Sequence, residues 1–486
     1  MPVGRKSDIS IVAMNPSNNA GEAPGAETGE PREMPKGNVR PDARLRAQHR
    51  ARLHDALARV RTAATQDKTL RFTTLWHHVY DIDRLRETFY QLRQDGAVGV
   101  DAVHWRDYEV NLEAHLLDLS SRLRRGAYHA KPVRRVYIPK ADGRQRPIGI
   151  PALEDKLVQR ATAEVLQAIY ETEFRDSSYG FRPGRHQHHA LDALTVAIEQ
   201  GKVSWVLDAD IRAFFDTIDH AWLLRMLEQR IADTRVLRHI NKWLVAGVLE
   251  DGAVQISEQG SPQGGSISPV LANIYLHYAF DVWAECWRRQ HARGEVTCVR
   301  FADDVVVCFQ YRDDAERFHA GMQERLAKFH LELHGEKTRL LEFGRSAAQH
   351  RRKRGLGKPE TFTFLGFTHI CGHNRHGQFI VLRKSARKKV TAKMHEIART
   401  LRRRITDPVE EVGKWLQQVL RGHYQYYAVP RNFAALSWFR DQVTYLWKKT
   451  LSRRSQKGYV NWDKMRVLAN TWLPRPRILH PYPGSR

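Results

Sequence analysis

The 486-residue chain carries 79 Lys and Arg against 54 Asp and Glu, which gives a formal net charge of +25 and a pI of about 10.1. Its 42% hydrophobic content and 12 Trp exclude a mostly disordered chain. No apolar run approaches the ~20 residues of a spanning helix, so an integral membrane protein is excluded as well. So large a positive surplus on a folded chain indicates a polyphosphate partner, of which nucleic acid is the first candidate.

The charge is concentrated near the end of the chain. Residues 375–486 contain 25 Lys and Arg but only 6 Asp and Glu, a net of +19. The same segment is rich in aromatic residues, and basic side chains interleaved with aromatics suit phosphate contacts and base stacking. A solvated, solubilising surface is the alternative.

The four scattered cysteines include no CxxC pair, which argues against a disulfide framework or a structural zinc site and favours a cytoplasmic location.

In chain order, residues 1–44 are rich in Gly, Pro, Asn, Ala and Glu and are expected to form a disordered leader. Helical periodicity follows from about Leu45. Around residues 134–151, the sequence RRVYIPKADGRQRPIGIP predicts two strands joined by a hairpin turn at ADGR. Helices are predicted again from Leu153 to about Phe174 and after Gly184.

The middle of the chain is rich in predicted strands. VSWVLDADI (203–211) is an apolar run that ends in carboxylates, and TCVRFADDVVVCF (297–309) has two β-prone arms around an Asp-Asp centre. Between them, Ser268 is predicted to cap a helix whose first residue is Pro269. After a short strand at FTFLGF (362–367), two packed helices are expected near 407–427 and 436–451.

The FADD segment at 301–304 carries the main chemical signal. Hairpin turns favour Asn-Gly or Asp-Gly, whereas the adjacent carboxylates of Asp303 and Asp304 repel each other, and such local conflicts often mark functional sites. A divalent cation would resolve the conflict because Mg²⁺ prefers oxygen ligands. Two solvated turn aspartates are the alternative.

Asp210 closes the predicted strand in 203–211, from which it could meet Asp303 across a sheet and complete a two-metal site. Asp216 and Asp219 are better interpreted as helix N-terminal or capping residues.

Seven sequence blocks occur in a specific order: YIPKADGRQRPIGIP (137–151), SSYGFRPGR (177–185), DADIRAFFDTIDH (208–220), GSPQGGSISPVLANIYL (260–276), FADD (301–304), LHGEKTRLLEFG (333–344) and FTFLGF (362–367). With this combination the chain resembles bacterial group II intron-encoded reverse transcriptases and maturases, from about Phe72 to Tyr482. The resemblance implies an α+β right-hand polymerase: fingers, a palm with an antiparallel sheet, and an α-helical thumb. The limits expected are 1–44 leader, 45–200 N-terminal extension and fingers, 201–372 palm, and 373–486 basic thumb/maturase domain.

The resemblance also implies roles for individual residues. The catalytic and metal-binding triad falls on Asp210, Asp303 and Asp304, which would hold two Mg²⁺ ions, with Mn²⁺ as a substitute. The implied dNTP-binding residues are Lys140, Arg146, Phe215, Gln263, Gly264 and Lys337. Those implied to bind template or other RNA are Arg182, Arg185, Arg421, Tyr424 and Tyr427. Taken alone, Phe215 could also be an ordinary core residue, and the cations could be solvated surface charges.

The function implied is that of an RNA-directed DNA polymerase extending a primer 3′-hydroxyl with dNTPs. Its expected partners are an RNA template, an RNA–DNA hybrid, a DNA primer and intron RNA, in a bacterial cytoplasm. Two alternatives stay open: a splicing maturase with dispensable polymerase activity, and a host-recruited reverse transcriptase in phage defence or DNA repair.

The sequence departs from the family pattern in places. Phe301 replaces the family's usual Tyr, and GVDAVHW (99–105) departs from its usual GVDGVTW. No Cys-pair and His-Asn-His block follows PRPRILHPYP, which predicts the endonuclease-less type.

Overall fold

A computed structural model describes residues 41–139, 145–250, 253–255, 260, 264–454 and 459–483. The expected leader therefore lies almost entirely outside the described residues. Helical structure starts at Pro41, slightly before the predicted start.

The N-terminal region is helical: α1 Pro41–Gln66, α2 Trp76–Tyr80, α3 Ile82–Gln91, α4 Trp105–Val110 and α5 Leu112–Arg125. Helix α5 shows why, because four leucines recur at helical spacing and are buried: Leu112, Leu116, Leu119 and Leu123. Gly126, with a φ of 77°, ends this helix in the left-handed conformation that glycine adopts most easily.

A first sheet contains the predicted hairpin. Its strands β1 Val133–Pro139 and β2 Gln145–Ile150 pair antiparallel, as expected from the ADGR turn, whose residues lie outside the described ones. The sheet continues on the other side of β1 with β4 Val248–Glu250, which runs parallel to β1, and β5 Ala253–Gln255. Two strands from the range predicted as palm thus join the sheet that contains the hairpin predicted for the fingers, and the domain limits remain predictions.

A second sheet of four antiparallel strands lies at the centre, in the order β6-β7-β3-β8. Its strands are β3 Trp205–Asp210, β6 Val296–Phe301, β7 Asp304–Phe309 and β8 Arg339–Glu342. Both faces of β7 are buried: Val305 and Val307 belong to the core shared with the N-terminal helices, and Val306 and Cys308 to a second core. Covering on both faces explains why this strand is a continuous apolar run rather than an alternating pattern.

The helices around the two sheets are α6 Leu153–Tyr170, α7 Gln187–Gln200, α8 Phe214–Thr217, α9 His220–Glu228, α10 Thr234–Val245, α11 Ser268–Leu276, α12 Val282–His291, α13 Arg312–Ala327 and α14 Ala347–Lys353. A π-helical turn, His277–Asp281, joins α11 to α12. Asp219 caps α9 as predicted, since its carboxylate accepts a hydrogen bond from the Trp222 N–H at 2.8 Å. The predicted cap at Ser268 is wrong by one position, because Ser268 is already helical and Ile267 precedes it as the N-cap.

The C-terminal part consists of a small sheet and four helices: β9 Phe362–Phe364, β10 Phe367–His373, β11 Phe379–Ser385, α15 Arg387–Arg403, α16 Val409–Tyr427, α17 Phe433–Leu451 and α18 Trp462–Trp472. The two long helices predicted here are α16 and α17, and they share a third core with α15 and α18. The central antiparallel sheet and mixed α/β content agree with the predicted fold class, whereas the assignment of α15–α18 as a thumb remains a proposal. Among the described helices, none has the length and apolarity needed to cross a membrane.

Candidate active site

Strand register brings the three predicted catalytic carboxylates together. In the β3–β7 pair, Asp210 lies directly opposite Asp304, and the β6–β7 hairpin closes through Ala302 and Asp303. Directly opposed residues project their side chains to the same face of a sheet. All three aspartates line one cleft of about 1120 Å³.

The turn that presents Asp303 has an unusual backbone. Ala302 has a φ of 56°, in the left-handed region that non-glycine residues rarely adopt. Gly180, from the SYGF block, packs directly against this turn, and a Cβ at position 180 would lie only 2.4 Å from the Ala302 nitrogen. The absence of a side chain at Gly180 is therefore what permits the two segments to approach this closely.

The cleft concentrates negative charge in a partly desolvated place. Burial, together with the charges of Asp303 and Asp210, raises the pKa of Asp304 to about 7. Burial also raises the pKa of Asp303, and it raises that of the neighbouring Asp208 to about 6 despite the opposing charge of Arg339. A nearby cation would stabilise the ionised form of such carboxylates. Clusters of groups with shifted pKa values in a cleft are typical of functional sites.

Lys337 supplies one positive charge to this cluster. It precedes β8, and its ammonium group donates a hydrogen bond to Asp210. Across the described part of the chain, no three His, Cys, Asp or Glu side chains are arranged so that they could hold a metal ion. The carboxylates are thus gathered in one cleft but not drawn to a common point. As hard oxygen donors, these carboxylates nevertheless match the type of ligand that Mg²⁺ prefers.

Four of the six residues expected to bind dNTP line this cleft: Arg146, Phe215, Gly264 and Lys337. The other two, Lys140 and Gln263, lie outside the described residues. Gly264 has a φ of 116°, and a Cβ there would lie 2.5 Å from the Gly149 carbonyl oxygen of β2. The missing side chain at Gly264 therefore permits a close approach to β2, and its role in binding dNTP stays a prediction.

Two residues expected to contact RNA are used inside the protein instead. Arg182 is buried, and its guanidinium donates to Glu171 at 2.9 Å and to the Ser178 carbonyl at 2.8 Å. Tyr424 is 5% exposed, and its hydroxyl donates to the Pro474 carbonyl at 3.1 Å. Burial removes both side chains from a phosphate or a base, so these two assignments do not fit the structure.

The other residues expected to bind RNA have different surroundings. Arg185 pairs with Asp176 at 2.6 Å on the surface of the loop before α7, and Arg421 is exposed on α16. Tyr427 lines a second cleft of about 560 Å³ together with Asp304 and Lys389. This second cleft lies between the catalytic carboxylates and the C-terminal helices.

The structure adds cleft residues that sequence reasoning missed. Phe181 and Leu365 both line the cleft that contains the three aspartates, with φ values of 57° and 47°. Neither has a sequence signal of its own, although the glycine in FLGF marks a turn next to Leu365. Sequence reasoning also missed Arg300, which is buried on β6 rather than exposed in this cleft. A charged residue within an apolar strand is a visible anomaly in the sequence.

Comparison with known proteins agrees with this geometry. The sequence model of the family "Reverse transcriptase (RNA-dependent DNA polymerase)" matches residues 138–369. Protein YkfC of Escherichia coli K12 is 32% identical over 349 residues, which cover 66% of this chain and 89% of YkfC. The group II intron-encoded protein LtrA of Lactococcus lactis subsp. cremoris is 43% identical over 166 residues, or 34% of this chain. The chain belongs to the group II intron-encoded reverse transcriptase family.

Membership confirms the resemblance drawn from the sequence blocks. The 91 kDa protein in the cob intron of Schizosaccharomyces pombe is a further relative, 43% identical over 150 residues. The match to LtrA spans 27% of that protein, and the match to the S. pombe protein spans 18%. The matches thus span less than a third of the length of these two relatives, and the activities of the whole proteins remain proposals for this chain.

Proposed function

We propose that the chain is an RNA-directed DNA polymerase that extends a primer 3′-hydroxyl on an RNA template with dNTPs. One observation carries this proposal. The β3–β7 register places Asp210 opposite Asp304 in a cleft that also receives Asp303 from the turn. Two strands that deliver carboxylates to one cleft supply the oxygen ligands that phosphoryl transfer with two metal ions requires.

Asp210, Asp303 and Asp304 are the residues that would hold Mg²⁺. When bound there, two Mg²⁺ ions would lower the pKa of the primer hydroxyl and neutralise charge on the leaving pyrophosphate. Arg146 offers a planar set of donors for the triphosphate, and Lys337 offers a mobile point charge. The ring of Phe215 would form a wall beside the sugar and so exclude a 2′-hydroxyl.

A primer-extension assay on an RNA template with dNTPs and Mg²⁺ tests the proposal. Replacing both Asp303 and Asp304 by Asn should reduce extension by at least about 10³-fold, because the charge that holds the cations is lost. Asp313→Asn, at an exposed position on α13, is the control and should retain full activity. Robust extension by the double variant would contradict the mechanism.

We also propose that the chain binds intron RNA and assists splicing. The supporting feature is the exposed face of α17, here called the α17 surface, formed by Trp438, Tyr445 and Lys449. These residues recur at helical spacing, and both rings are about half exposed. Exposed rings near a cation suit unpaired bases and backbone phosphates.

The splicing role is tested separately from polymerisation. Trp438→Ala combined with Tyr445→Ala should weaken binding of single-stranded RNA by at least about tenfold, since a stacked base contributes about 1–3 kcal/mol. Tyr311→Ala removes a similarly exposed ring outside the basic segment and should leave affinity unchanged.

Intron RNA flanking the coding sequence would favour a maturase role over the host-recruited alternative. Splicing assistance that persists in the Asp303 and Asp304 double variant would separate the two activities.

A further inference from the structure

A buried ion pair lies directly beneath the catalytic turn. The guanidinium of Arg300, on β6, donates to both carboxylate oxygens of Asp281, at 2.7 and 2.5 Å. Both side chains are completely excluded from solvent. Since the desolvation cost of such a pair can equal or exceed its Coulombic gain, stability alone is a weak reason for its presence.

The same guanidinium also holds the catalytic turn. Arg300 Nη1 donates to the Ala302 carbonyl oxygen at 2.9 Å and to the Asn273 side-chain oxygen at 3.1 Å. The Ala302 carbonyl belongs to the peptide bond that leads into Asp303. The Asn273 amide in turn donates to the Gly180 carbonyl at 2.7 Å, so the network fixes the glycine that packs on Ala302.

Two further contacts complete the network. Arg300 Nη2 donates to the Ser178 hydroxyl at 2.8 Å, and the Arg300 carbonyl accepts from the Tyr179 N–H at 2.9 Å. Asp281 is the last residue of the π-helical turn between α11 and α12. Such turns redirect side chains and occur frequently at functional sites. Here the π-helical turn ends at the carboxylate that holds Arg300.

We propose that Arg300 is a positioning residue for the catalytic carboxylates. Held by Asp281, its guanidinium fixes the left-handed Ala302 and thereby orients Asp303 and Asp304 for divalent cation binding. Arg300 touches neither substrate nor cation and acts only through the turn. This inference rests on the proposed function of those carboxylates.

The test compares two buried arginines. Arg300→Lys retains a positive charge but removes the planar set of donors that holds the turn. Arg230→Lys is the matched control, because Arg230 is also buried, pairs with Glu173 and donates to the Leu70 carbonyl at 2.9 Å. None of these Arg230 partners lines the catalytic cleft. Each variant is measured for Mn²⁺ binding by electron paramagnetic resonance without nucleic acid, for the kcat of primer extension, and for melting temperature.

Arg300→Lys should bind Mn²⁺ at least about tenfold more weakly and lose about 100-fold in kcat, because small displacements of reacting groups are costly. Arg230→Lys should lower the melting temperature similarly but leave Mn²⁺ binding and kcat near those of the unmodified protein. If Mn²⁺ affinity and kcat fell in proportion to melting temperature, and to the same extent in both variants, the inference would be overturned.

A second variant keeps the proposal testable if Arg300→Lys does not fold. Gly180→Ala changes no charge, but its added Cβ would meet the Ala302 nitrogen at 2.4 Å and must displace the turn. It should weaken Mn²⁺ binding as well, whereas unchanged binding would contradict the positioning role. An unmodified chain that binds Mn²⁺ but extends no primer would contradict the polymerase proposal alone.

Discussion

Phe214 and Phe215 are adjacent in the short helix α8 yet have different environments. Both side chains line the cleft that contains Asp210, but Phe214 is buried in the core, whereas Phe215 is only partly buried and packs against that core. Their rings meet edge-on, with centroids 5.4 Å apart, so the buried ring of Phe214 supports the partly buried ring of Phe215. The sugar-discriminating role proposed for Phe215 therefore rests on its greater exposure in the cleft.

Phe215→Ala should admit ribonucleotides, because removing the ring opens the space that a 2′-hydroxyl would occupy. The ratio of kcat/KM for rNTP over dNTP is expected to rise by about 10- to 100-fold, the range typical of steric discrimination by an apolar pocket. Phe181→Ala removes another ring from the same cleft and should leave this ratio unchanged. An unaltered ratio in Phe215→Ala would argue that Phe215 is only a packing residue.

His369 gives a prediction on pH. It is fully buried and stacks on Phe362, and burial lowers its pKa to about 3. A histidine that stays neutral when folded contributes stability above pH 6.5, and this contribution is lost as pH falls towards 3, because the unfolded chain takes up the proton.

The variant His369→Phe should therefore gain stability relative to the unmodified protein as pH decreases from 7 to 5, by about 1.4 kcal/mol for each pH unit below 6.5. Melting temperatures at pH 7, 6 and 5 measure the difference. His376→Phe, on the exposed turn between β10 and β11, is the control and should show no such trend. If His369→Phe and the unmodified protein differed in melting temperature by the same amount at all three pH values, the lowered pKa of His369 would be contradicted.

At the scale of elements, α16 carries two glycines in different surroundings. Gly413 is buried, and a Cβ there would lie 2.6 Å from the Trp472 ring of α18. Gly422 is exposed, and a Cβ there would meet nothing within 4 Å. The contact between α16 and α18 therefore depends on one of these glycines and not on the other.

Gly413→Ala should lower the free energy of unfolding by about 1–3 kcal/mol, because the added methyl group overpacks the helix contact. Gly422→Ala should be neutral or stabilise by up to about 1 kcal/mol, because alanine is the better helix former. Urea denaturation of both variants gives the comparison. Equal effects at the two positions would show that the α16–α18 contact accommodates the added methyl group.

The whole molecule is polarised in charge, with +19 carried by residues 375–486. Most of this region forms α15–α18, beside the cleft that contains Asp304, Tyr427 and Lys389. A basic region next to a carboxylate-lined cleft suits a duplex whose backbone is held by one part of the protein and whose primer end reaches the other. This arrangement supports the proposal that α15–α18 act as a thumb.

Binding of an RNA–DNA hybrid should weaken steeply with salt, since each neutralised phosphate releases counterions. Replacing three exposed cations of α15 (Lys388, Arg399 and Arg402) by Gln should reduce the slope of log affinity against log salt by about 2–3. The same change at Arg61, Arg124 and Arg125, which are exposed in the N-terminal helices, is the control. Equal reductions in the two variants would contradict the special role of the C-terminal region.

Much of this organisation was predictable from the sequence. The hairpin at β1–β2, the strands carrying Asp210 and the Asp303–Asp304 pair, and the helices α16 and α17 follow from local patterns that do not need a partner. Composition and charge indicated a nucleic-acid partner, and the ordered sequence blocks identified the family. These features depend on neighbouring residues in the chain, whose periodicity and turn chemistry are written in the sequence.

What the tertiary structure decided is which side chains face inward and which segments meet. Arg182 and Tyr424 have the same chemistry as exposed RNA-binding residues, yet their burial depends on Glu171 and Pro474, which are brought to them by folding. Likewise, only the packing of distant segments reveals that Arg300 donates to the Ala302 carbonyl in the turn before Asp303. Hydrogen bonds and packing between residues far apart in the chain leave no local periodicity, so the sequence specified the charges and folding decided their roles.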